Sequence, residues 1–292
     1  MLGPATVAGH VRMGVMRTSF WERVAASGFA VPADEPLADL TAELTVMLGS
    51  PDPHVRQDLA TSTLATWIAE GVYDGLLTGL GDGLVAGLLI GLGEDGTESV
   101  FRRSFSARLL GVCLDRDSGT SVVGPDTVLR WGDALMSWFV RECDLRGHVP
   151  GSGGARAVAH GAGALESLAA SASLGELELV AVLDVLADRL TVATTHRMLH
   201  DESDRMARCA LAVFRRELVS DEILEGWLAR LVELTRTRDQ SSSPAIVAGN
   251  AETFLRALHL QLAIGARPPG ARGDLLLAVL AALRASNGEL LQ

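Results

Sequence analysis

The chain has 292 residues, 48% of them apolar, and a formal net charge of −11. That length supports a sizeable core, and a surface of that sign repels phosphate backbones, which excludes nucleic acid as a partner. Three widely spaced cysteines, Cys113, Cys143 and Cys209, exclude a disulfide framework and a Cys-x-x-Cys metal site and fit reduced thiols in a cytoplasmic protein.

Residues Met1 to Thr18 read as a loose N-terminal extension without a secretory pattern. Residues 19–292 read as a single helical-repeat domain. The first helix is expected from Phe20-Trp21 to Gly28, and an amphipathic helix over Leu37 to Leu48 ends at Gly49-Ser50-Pro51. Asp52 caps the next helix with Pro53 at its first position, and that helix runs to Gly71. The Leu/Gly-rich stretch Leu76 to Leu92 resembles a membrane span, but Asp82 interrupts it and its apolar part is far below the ~20 residues a bilayer requires. A helix over Ser99 to Cys113, a loop over Asp115 to Asp126 and a helix over Thr127 to Glu142 follow.

Asp144 to Gly154 is the most unusual loop, and it leads into a helix over Ala155 to Ala170. Further helices are expected over Glu176 to Leu190, Glu202 to Val219, Asp221 to Leu234, Ala251 to Ile264 and Asp274 to Ala285, with a polar linker over Arg236 to Ser243. No segment shows sustained strand alternation, so the class is all-α. Helix openings near Asp52, Glu98, Gly154, Ser203 and Asn250 recur at intervals of about 46, 56, 49 and 47 residues. That period predicts a HEAT/armadillo-like array of antiparallel helix pairs forming a curved solenoid, whose apolar faces are buried only by their neighbours.

Four segments carry a resemblance. They are Gly49-Ser-Pro-Asp-Pro53, Ser99 to Ser106, Glu142-Cys-Asp-Leu-Arg-Gly147 with Ala157-Val-Ala-His-Gly-Ala162, and Thr253 to Leu258. Together they resemble an uncharacterised bacterial family, domain-of-unknown-function family 2785, from about Phe20 to the C-terminus. The resemblance implies a helical array and marks Asp144 to His160 as the family's signature, with no established activity attached. The family usually has a Trp-x-His pair before its Val-Ala-His-Gly-Ala run and an Asp after it. Here those positions are Gly154, Arg156 and Gly163.

The first candidate site is Asp144, Arg146 and His160. A carboxylate beside an imidazole fixes its tautomer and raises its basicity, and Arg146 can hold a carboxylate or phosphate bidentately. The bland alternative is that Asp144 and Arg146 staple the loop while His160 is a core histidine. The loop Pro150 to Gly154 precedes a helix, so its amides and Arg156 offer an anion cradle. Arg103, between Phe101 and Phe105, offers a further anion contact. His196 and His200 are four apart, a spacing that shares a metal only if a third ligand arrives, and we expect no metal and no cofactor there. Trp131 and Trp138 share a helix face and read as core. The expected function is a helical-repeat module that binds a protein partner or a small acidic ligand on its concave face, without nucleic acid or membrane. The alternative is a small-molecule enzyme with His160 as acid/base and Arg146 or Arg156 as anchor.

Overall fold

Breaks marked by Gly, Pro and Asp divide the chain into helices of 8 to 23 residues, and the computed structural model describes residues 17–236 and 242–287. α1 (Thr18–Ala26) and α2 (Leu37–Met47) pack on a π-helical segment, His54–Thr61, that runs into α3 (Ser62–Ala69). Then come α4 (Leu77–Leu88), α5 (Ser99–Thr120) and α6 (Pro125–Arg141). A two-residue hairpin, β1 (His148–Val149) with β2 (Gly153–Gly154), separates α6 from α7 (Ala157–Ala170). The chain continues through α8 (Glu176–Thr191), α9 (Glu202–Phe214), α10 (Asp221–Arg236), α11 (Ser242–Ile264) and α12 (Arg272–Ser286). The fold is all-α.

Packing follows a simple rule of neighbours. α3, α5, α7, α9 and α11 stand in sequence, each against the next, and α4, α6, α8, α10 and α12 do the same. Many side-chain hydrogen bonds between neighbours join residues close to the spacing of the recurring helix openings, such as Arg116 with Asp74, 42 positions apart, and Gln261 with Asp204, 57 apart. α6 illustrates why these helices form: Pro125 occupies the first turn, and Val128, Trp131, Leu135 and Trp138 fall on one face and are buried. At roughly 25 cal/mol per Å2 and 150–250 Å2 a ring, each buried Trp contributes about 4–6 kcal/mol of gross burial free energy. Glycines set the closest approaches. A Cβ on Gly111 of α5 would sit 3.0 Å from the Ala164 Cα of α7, and one on Gly161 would sit 2.5 Å from the Phe139 ring.

The Leu/Gly stretch is α4, buried along Leu77, Leu80, Leu84 and Leu88, while Asp82 accepts a hydrogen bond from Trp131 Nε1 (2.8 Å). Among the described residues no helix is long and apolar enough to cross a membrane.

Several boundaries differ from expectation. Arg17 and Thr18 are ordered into the fold, with Arg17 ion-paired to Glu35 and Glu43 at 2.6 Å each; residues 1–16 of the expected extension lie outside the described residues. The helix after Pro53 opens as a π-helix, in which Thr61 and Ser62 hydroxyls donate to carbonyls five residues back. α5 continues through the expected loop to Thr120 because Arg116 is held by Asp74 (2.6 Å), while Asp117 accepts from Val123 N (2.7 Å) beyond the helix end. α9 ends at Phe214, five residues early, where Glu217 takes a positive φ. α11 opens at Ser242, so Asn250 lies inside it and ties down the preceding unit by bonding Met198 N and His196 O. Residues 237–241 of the expected linker lie outside the described residues.

Candidate functional site

The signature loop is built as architecture. Glu142, buried where α6 ends, accepts from Arg103 Nε and Nη2 (2.5 and 2.8 Å), Trp138 Nε1 (3.0 Å) and Asp144 N (2.9 Å). Arg103 is fully buried and spends its remaining donors on Ile90 O, Gly91 O and Ser99 Oγ. Asp144, also fully buried, takes both Arg146 Nε (2.8 Å) and Nη2 (2.6 Å) and the Gly96 amide (3.0 Å). Arg146 then reaches Thr97 O (2.8 Å). From the other side Arg56 donates to Ser50 O and Ser152 O and stacks 3.9 Å from the Phe101 ring centroid; burial lowers it to about 10. These groups fix the loop between units, which is the staple reading of Asp144 and Arg146. Arg103 is a staple as well, enclosed rather than offered to a ligand.

His160 is elsewhere, and Asp144 is not its partner. Its Nδ1 lies 2.8 Å from Ser104 Oγ, and its ring meets Phe105 edge-on at 4.8 Å. Ser104 has one hydroxyl proton, and it goes to Ala155 O. Ser104 Oγ is therefore the acceptor, His160 carries its proton on Nδ1, and Nε2 keeps a lone pair. That imidazole borders a cleft of about 270 Å3 between α5, α7 and α9.

Three arginines surround the cleft, one from each helix or its approach: Arg108, Arg156 and Arg205. Arg156 and Arg205 both pair with Asp201, the first through Nη2 and the second through Nε at 3.2 Å. Arg108, an exposed residue of α5, has no hydrogen bond or ion pair among the described residues; partial desolvation where it meets the cleft, then Arg156 and Arg205, push its pKa down. Asp115 closes one end; desolvation raises its carboxyl despite a hydrogen bond from Ser167. Burial, the largest single influence, would raise Asp201, but the hydrogen bonds and charges of Arg156 and Arg205 together outweigh it and hold the carboxyl low. Three guanidiniums against two carboxyls leave a net positive hole in a chain of net charge −11. Burial, then Arg108 and Arg156, lower His160 to about 3, so the ring is neutral at pH 7.

Local backbone explains how Arg156 gets there. It precedes α7 in the left-handed region (φ 57°), a conformation that costs a non-glycine about 1–3 kcal/mol. Gly154 leaves the room its stem fills: a Cβ there would lie 2.9 Å from Arg156 Cδ. Gly163 lines the same cleft with open space where a side chain would start.

The other sequence candidates resolve differently. His196 and His200 are not on a helix face, because the chain from α8 to α9 is irregular there. Both turn toward the buried Glu202, at 3.9 and 3.6 Å from its Oε1. Among the described residues no group of three or more His, Cys, Asp or Glu is arranged to hold a metal ion. Trp131 and Trp138 are core. Arg108, Arg205 and Asp201 escaped the sequence reading, although a signal existed: Arg108, Arg156 and Arg205 stand 48 and 49 residues apart, within the spacing of the recurring helix openings.

A family model described as a protein of unknown function (DUF2785) matches residues 88–260. The chain belongs to that family. The DUF2785 match holds α5 through most of α11, hence the signature loop and the whole cleft, whereas the Gly49 to Pro53 segment lies outside it. Neither a curated protein sequence nor a solved structure matches the chain.

Proposed function

We propose that this protein is a helical-repeat binding module that takes a small acidic ligand in the cleft between α5, α7 and α9. The two files of consecutively packed helices and the hydrogen bonds at one-repeat separations support reading the array as a HEAT/armadillo-like solenoid. In that reading α5, α7 and α9 form the concave face. The observation that carries the proposal is the convergence of three arginines from α5, the approach to α7, and α9, one of them, Arg108, without an acidic partner among the described residues.

Fixed guanidiniums recognise carboxylate and phosphate oxygens bidentately. A volume of about 270 Å3 suits a single phosphate or a small di- or tricarboxylate. Nε2 of His160 accepts a hydrogen bond from a ligand hydroxyl. The binder is favoured over an enzyme by the same histidine: a general base works best with a pKa near the working pH, and His160 at about 3 is far below it.

Isothermal titration of inorganic phosphate and citrate at low ionic strength tests this reading. Saturable binding by the native chain, lost in Arg108→Met at unchanged melting temperature, is the expected result. Equal heats for the two proteins would remove the cleft from the account.

A further inference from the structure

A second opening lies on the other side of α5, between α2 and α4. It encloses about 760 Å3 and is walled by apolar side chains, with Val46, Leu76 and Ile90 standing 71%, 59% and 50% exposed at its rim. Its hydroxyls are already committed. Tyr73 and Thr41 bond each other at 2.7 Å, and Thr45 donates to Thr41 O. A single charge reaches it, Arg102 of α5.

Arg102 is unlike the other enclosed arginines of this chain. Arg56, Arg103 and Arg189 each donate to several carbonyl or carboxylate oxygens. Half-buried Arg102 makes no hydrogen bond and no ion pair among the described residues; its Nε is shut from solvent without a partner, as are those of Arg56 and Arg189, but unlike theirs its terminal nitrogens have no protein partner either. Beside it sits Ser106, fully buried, whose Oγ is equally unpartnered. Both atoms lie over Gly87, where a Cβ would stand 2.2 Å from Ser106 Oγ and 3.1 Å from Arg102 Nε. A half-buried cation normally has an anion or a set of carbonyls facing it. Here the facing surface is an apolar groove.

We infer that this groove binds a fatty acid: the hydrocarbon chain lies along Leu37, Val46, Leu76 and Leu80, and Arg102 holds the carboxylate. The volume falls in the range of small-molecule pockets, which combine apolar walls with few polar anchors. A single guanidinium fork matches a carboxylate. The site is separate from the α5–α7–α9 cleft and stands without it.

The test is calorimetric titration of the full chain with decanoate below its micellar concentration, with decan-1-ol as the uncharged control. Decanoate is expected to bind with unit stoichiometry and more tightly than the alcohol. Arg102→Met is expected to weaken decanoate about ten- to hundredfold, the loss of one charge-assisted interaction, and to leave decan-1-ol unchanged. Val46→Asp, on the exposed rim, is expected to weaken both, and thermal melting of each variant checks the fold. Equal affinity for acid and alcohol, an Arg102→Met protein that binds decanoate normally, or no binding of either would overturn the inference. So would loss of decanoate binding in Gly163→Asp, which alters only the other cleft. A dimer in sedimentation that Val46→Asp dissolves would assign the groove to a second copy and overturn it as well.

Discussion

Replacing Glu142 by Gln removes one charge from a fully enclosed polar cluster. Arg103 and Glu142 side chains are 0% and 2% exposed, so the guanidinium left behind has no access to water. Breaking a buried pair from one side costs about 3–5 kcal/mol. Gln keeps one acceptor oxygen for Arg103 or Trp138, which places the cost near the lower end, about 3 kcal/mol. At about 2–4 °C per kcal/mol for a chain of this size, the melting temperature should fall by about 6–12 °C. Calorimetric melting at neutral pH reads it directly. Anion affinity of the folded variant should stay within about twofold of native, because Glu142 does not line the cleft. A melting temperature within about 2 °C of native would refute the claim that this cluster braces the signature loop. Undiminished stability with lost anion binding would refute it more sharply, since Glu142 would then serve the ligand.

Gly163→Asp places a carboxylate where a side chain meets open space beside three arginines; it should fold normally and bind phosphate or citrate at least tenfold more weakly, and unchanged titration isotherms would contradict this. His160 has a folded pKa of about 3, below its ordinary 6.5, facing Arg108, Arg156, Arg205 and Asp201. Its neutral form is the folded form, so its contribution is full above about pH 6.5 and is lost as pH falls toward 3. Urea melts at pH 7.5 and 5 should show a larger loss of stability for the native chain than for His160→Gln, and equal losses would count against it. Cys143 is exposed, whereas burial raises Cys113 to about 12 and Cys209 well above its ordinary value. Maleimide should label one thiol per native chain and three in denaturant; rapid labelling of all three without denaturant would mean the core is not as described.

Local signals in the sequence carried most of the fold. Pro125 and the Val128, Trp131, Leu135, Trp138 stripe define α6, and the acidic first turn of Glu202 and Asp204 opens α9 where expected. What local pattern misses is decided at a distance. α5 outruns its expected end through the Arg116–Asp74 pair, 42 residues apart. The π-segment forms around Arg56, whose partners Ser152 and Gly154 lie 96 and 98 residues on. The candidate site divided along the same line. Asp144 and Arg146 are sequence neighbours and do meet, but as a staple, while His160 and Arg156 belong to a cleft whose other charged members come from α5 and from the start of α9. The spacing of Arg108, Arg156 and Arg205 was present in the sequence, yet a periodic charge gains meaning only once packing sets α5, α7 and α9 side by side.

The most direct test of the central claim follows the arginine side chains themselves. In a protein labelled with 15N at arginine, the Nε–Hε resonances of Arg108, Arg156 and Arg205, assigned by single substitutions, would be tracked while inorganic phosphate is added at low ionic strength. The account predicts that these three shift together along one saturable curve while those of the enclosed Arg103 stay still. A weak, unsaturated drift spread over the exposed arginines, with no common curve for the three, would contradict it.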